Sequence, residues 1–144
     1  MASASFLINV DAASVNGETH SIGSKSSTVQ LTITGIVLDQ AKTLASGAIW
    51  NAWDELSSTI SDFVVLVILS TQEIEIELTT DRDGTNERAF VVRAAANVPF
   101  ILSSGKSING YIKNWGGGTP DNIDRIRIKN ISTSDASVRI LLAK

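Results

Sequence analysis

The chain has 144 residues, a formal net charge of −3, no cysteine and a single histidine. That length is one domain's worth of chain, and its residue inventory excludes a disulfide framework, a thiol nucleophile, a Cys-ligated zinc and a multi-histidine metal site within one chain. Val, Ile and Thr together make 40 of the 144 residues, a composition that suits pleated sheet better than a helix bundle.

In chain order, Phe6–Val10 is a short apolar strand candidate, and Met1 to Ser5 carries no basic region of the secretory type. Residues 11–27 are small and polar, with Gly17 and Gly23 as turn formers, and predict a loop or extended arm. Residues 1–27 are therefore set apart from a sandwich over 28–144. Thr28–Thr34 alternates polar and apolar residues and predicts a strand. Asp39–Ala45 is compatible with a short helix capped by Asp39 and interrupted by Gly47. Ala48–Trp53 is compatible with a strand, or with a loop that packs two indoles.

Ile60–Thr71 is a long β-branched run that predicts a central sandwich strand. Its longest apolar stretch, Phe63–Leu69, is too short to span a membrane as a helix. A tight turn at Thr71-Gln72 leads to Glu73–Leu78, which alternates without a break, so the two segments read as neighbouring strands. Ala89–Arg93 and Val98–Leu102 follow as strands. Pro99 marks the second as an edge strand or a strand start. Residues 103–121 read as loop. Ile123–Ile131 and Ser137–Leu142 close the pattern, with a turn at Ser132–Asp135 between them. About eight strands at sandwich spacing, with no recurrent helix between them, predict an all-β fold. It is a single antiparallel β-sandwich, jelly-roll-like, with an extended N-terminal loop or arm.

Several local patterns fall short of a chemical site. Asp81–Glu87 looks superficially like a calcium loop, but Gly84 comes two residues early and Glu87 stands at position 7 instead of 12. A turn built on Asp and Gly is the better reading. Ser103-Ser-Gly-Lys-Ser107 has the end of a phosphate loop without the earlier glycine, since position 100 is Phe. His20 lies near Glu18 and Asp11, with no nucleophile motif beside them. Asn130-Ile-Ser132 is a glycosylation sequon, relevant only to a secreted chain. No enzyme activity, no cofactor and no metal site are expected.

Two patterns point to recognition. Trp50, Trp53, Tyr111 and Trp115 are rings that pack a core or interface, or alternatively form stacking platforms in a carbohydrate-binding sandwich. Charge is unevenly spread: residues 1–105 carry 5 basic and 12 acidic side chains, and residues 106–144 carry 7 basic and 3 acidic. Alternation puts Glu73, Glu75 and Glu77 on one strand face. It puts Ile123, Arg125, Arg127, Lys129 and Ile131 on one face of another strand, with Ile126 and Ile128 opposite. Three acids in a row repel one another and need cations across from them. The basic row is the evident match, within the chain or across an interface between chains.

The segments Ala48–Leu56, Asp62–Val67, Glu75–Asp81, Val98–Ser104 and Ile123–Ser132 resemble small β-sandwich virion proteins of tailed bacteriophages, of the capsid decoration (cement) type. That resemblance implies a structural protein without active-site residues. It implies a homotrimer that binds the major capsid protein lattice at the virion surface. It implies synthesis in the host bacterial cytoplasm, and no nucleic-acid or membrane partner.

Overall fold

The computed structural model describes residues 3–6, 10–15, 18–22, 29–32, 36–54, 63–80, 88–103 and 123–143. The chain divides into two compact units, Met1–Gly35 and Ile36–Lys144.

In the first unit, β1 (Ser3–Phe6) pairs antiparallel with β4 (Val29–Thr32), and β2 (Val10–Val15) pairs antiparallel with β3 (Glu18–Ile22). The polar stretch read as a loop or arm thus carries a hairpin. Composition hid it. The signal that could have found it is Asn16-Gly17, the dipeptide favoured in two-residue hairpin loops.

The described residues of the second unit form eight strands: β5 (Ile36–Leu44), β6 (Ile49–Asp54), β7 (Val65–Ser70), β8 (Ile74–Thr80), β9 (Arg88–Ala94), β10 (Phe100–Ser103), β11 (Ile123–Asn130) and β12 (Ala136–Ala143). They form two antiparallel sheets, ordered β5-β12-β7-β10 and β6-β11-β8-β9. The links 45–48, 71–73, 95–99 and 131–135 each carry the chain from one sheet to the other. Sequence neighbours therefore hold equivalent places in opposite sheets, which is the double Greek-key order of a jelly roll.

Three local readings change. Residues 39–44 are strand, not helix, because β5 is paired along its length with β12; non-local pairing overrides the weak helical preference. β7 and β8 lie in opposite sheets rather than side by side. Their apolar faces, Leu66 and Ile68 on one and Ile74 and Ile76 on the other, join the same core. Ile123 is buried in that core rather than lying on the basic face, because the β11–β8 register shifts between Ile123 and Arg125.

Elsewhere the period-2 pattern holds. Leu66, Ile68, Ile74, Ile76, Ile126, Ile128, Val138, Ile140 and Leu142 are fully buried. Each contributes about 1.5–3 kcal/mol relative to exposure. β10 follows Pro99 and stands at a sheet edge, where the missing N–H removes no ladder bond.

Candidate functional site

The outer face of the β6-β11-β8-β9 sheet gathers the charged residues. β11 and β8 pair so that Arg127 stands opposite Glu77 and Lys129 opposite Glu75. Arg127 Nε donates to Glu77 Oε1 at 2.8 Å and its Nη2 to Oε2 at 2.7 Å. Arg125 Nη2 reaches Glu77 Oε1 at 3.5 Å and Thr79 Oγ1 at 3.2 Å. Thr79 Oγ1 also donates to Glu77 Oε1 at 3.2 Å. The two ladders meet within one chain.

Glu73 lies just before β8 and is exposed; its carbonyl accepts from Ile131 N at 3.3 Å. Glu75 is held from the other side by Arg93 of β9, whose Nε lies at 3.2 Å and Nη2 at 3.1 Å. Sequence reasoning missed Arg93, although its strand was evident; only the sheet order shows that β9 flanks β8. Ile49, Val91 and the charges Glu75, Glu77, Arg127 and Lys129 line a shallow hollow on this face. Its guanidinium groups are engaged by carboxylates of their own chain, so the arrangement is a matched surface suited to recognition, not a basic groove.

The indoles do something else. Trp50 and Trp53 are 8% and 4% exposed and belong to the core. Both point inward because the β6–β11 register skips at Ala52, which is a β-bulge. Trp53 packs edge-on against Phe63, with centroids 5.4 Å apart. Lys42 Nζ lies 5.8 Å from the centre of the Trp50 ring. Neither ring is open as a stacking platform for a sugar, which corrects that reading for these two. Tyr111, Trp115 and the Asp81–Glu87 turn lie outside the described residues. His20 stands opposite Ala12 in the β2–β3 hairpin.

The end of the sandwich where the chain crosses between sheets is closely tied. Asn130 is fully buried. Its Nδ2 donates to the Leu44 carbonyl at 2.9 Å and the Ser134 carbonyl at 2.8 Å. Its Oδ1 accepts from Ser132 N at 3.0 Å and Ser132 Oγ at 2.8 Å. Its backbone N–H donates to Ala48 O, and its carbonyl accepts from Gly47 N, both at 3.0 Å. One residue thus knits two crossover links together. As a sequon asparagine it drew attention for the wrong chemistry, and no local signal marked its structural role.

Compared with family models, curated proteins and solved structures, the chain matches none. The site must be judged on geometry alone. Among the described residues no group of three or more His, Cys, Asp or Glu is placed to hold a metal ion. What the sandwich does present is apolar surface along one margin, where β9 and β10 are the outer strands of the two sheets. Phe90, Val91 and Val92 on β9 are 41%, 58% and 38% exposed, and Val98 in the link that follows and Ile101 on β10 are exposed too.

Proposed function

We propose that this protein is a structural component of a bacteriophage virion, which decorates a capsid and stabilises it by binding the major capsid protein lattice. The observation that carries this reading is the apolar margin of Phe90, Val91, Val92, Val98 and Ile101 on a domain whose interior is otherwise well packed. Large apolar side chains left exposed at one margin mark a candidate protein contact site. A rigid jelly roll with one such margin and a face of matched charges can present a fixed shape to a lattice. The charges would set register and discrimination, and the apolar contacts most of the affinity. The resemblance of the sequence to decoration proteins supports the same reading.

Carbohydrate binding is the weaker reading, since two of its four candidate rings are in the core. The test is co-sedimentation of the purified protein with capsids that lack it, run beside a glycan array. Saturable capsid binding with a blank array is the expected result. Glycan binding without capsid binding would replace this reading with the second.

A further inference from the structure

The two margins of the sandwich are built differently. At the β5/β6 margin, Lys42 has the inward-facing parity of its strand. It stands opposite fully buried Val138 and reaches toward Trp50. An inward-pointing charge on an edge strand discourages further strand addition. On β9 the one charge of inward parity, Arg88, stands at the first residue of the strand, opposite Thr80, and the middle of the strand carries none.

Among the described residues β9 pairs with β8 on one side only. Its charges are Arg88 at one end and Arg93, drawn back over its own sheet to Glu75. Phe90 and Val92 have inward parity, opposite buried Leu78 and Ile76, yet remain about two-fifths exposed. They are core-face side chains with no further described strand beside them. A long apolar edge strand in this state is a template for another strand.

The occupant follows from the strand itself. A two-fold axis through Val91, perpendicular to the sheet, would overlap all of Arg88–Ala94 antiparallel with the same strand of a second copy. That register sets Phe90 against Val92, Val91 against Val91, Arg88 against Ala94 and Arg93 against Ala89. Aromatic and β-branched pairs meet, and no like charges are opposed. A parallel in-register pairing would set Arg88 against Arg88.

We infer that two copies of this chain associate through their β9 edges about a two-fold axis at Val91, joining two four-stranded sheets into one continuous sheet. Such a contact is isologous, with the same patch on both partners.

The chain has no cysteine, so Val91→Cys introduces a single thiol. Antiparallel partners bring opposed Cβ atoms to about 4.5–5.5 Å, within reach of a short bis-maleimide. The expected result is a cross-linked dimer in high yield from Val91→Cys, and little from Leu69→Cys, an exposed position on the other sheet. Equal yields from the two would overturn the proposal. Sedimentation equilibrium of the unaltered protein should give a dimer; a monomer at high micromolar concentration, or a trimer, overturns it. Val91→Lys, with an unchanged circular dichroism spectrum, should weaken association at least about tenfold, and unchanged association counts against the contact. All of this uses the isolated protein. A dimer that ignores capsids would retire the capsid reading alone, and a monomer that binds them would retire this inference alone.

Discussion

Arg127 and Glu77 meet across β11 and β8 through two N–H···O contacts of 2.8 and 2.7 Å. Bidentate geometry of this kind is the strong form of an ion pair, and Arg125 and Thr79 bind the same carboxylate. Because Arg127 and Glu77 keep 39% and 21% of their side-chain surface, solvent screens the pair. A coupling energy of about 0.5–1 kcal/mol is expected from a double-mutant cycle of Glu77→Gln and Arg127→Gln. Urea denaturation measures it. Strict additivity would mean that the contact adds nothing to stability.

Asn130→Ala should be among the most damaging polar substitutions. It leaves the Leu44 carbonyl without its buried amide donor and takes the Oδ1 acceptor from the half-buried Ser132 N–H and hydroxyl. A loss of about 2–4 kcal/mol is expected, read as a lower melting temperature. Asn130→Asp should be no better, since it keeps the acceptor but loses both amide donations and buries a charge. A melting temperature unchanged by either variant would remove Asn130 from its role as the tie between the crossover links.

Arg139 Nε and Nη2 grip the Asp39 carboxylate at 2.9 and 2.8 Å. That hydrogen bonding holds the Asp39 carboxyl below its ordinary value. A depressed carboxylate pKa contributes stability above the unfolded-state value, and the contribution is lost as pH falls through the folded value. The Asp39 carbon signal in an NMR titration should therefore move at lower pH than an ordinary aspartate. Arg139→Gln should bring it back up. No shift between the two proteins would refute the link.

Gly47 has φ +74° and an open space where a Cβ would stand. Gly47→Ala should cost about 1 kcal/mol from backbone strain alone, and Gly47→Asn less, because Asn tolerates the left-handed region. Asn97, at φ 60°, already uses that tolerance in the β9–β10 link. Chemical denaturation ranks the three Gly47 proteins. An equal loss for Ala and Asn would point to crowding instead of strain.

Alternation made β8 and β11 legible in the sequence, and with them the rows Glu75/Glu77 and Arg125/Arg127/Lys129. The β-branched content made the all-β class legible. The path between strands was not. A short polar link between two alternating segments looks the same whether the chain turns back into its own sheet or crosses to the other. Thr71–Glu73 crosses because β7 finds β12 and β10, while β8 finds β11 and β9, and all these pairings but one join strands far apart in sequence. The inward turn of Ile123 and the joint burial of Trp50 and Trp53 depend on register skips, which a strict period of two does not reveal. Arg93 and Asn130 act through neighbours that only the finished topology supplies.

β12 lies between β5 and β7, and β11 lies between β6 and β8. The last two strands of the domain to leave the ribosome are therefore the middle of both sheets. Until they emerge, β5 and β6 have no ladder partner from the rest of the domain, and the apolar faces of β7 and β8 have only each other and the β9/β10 margin. Such late, long-range closure makes folding slow and leaves sticky edges exposed on the way. A nascent chain halted before residue 123 is expected to be a substrate for chaperones rather than a partly built sandwich, so the domain forms only after its synthesis.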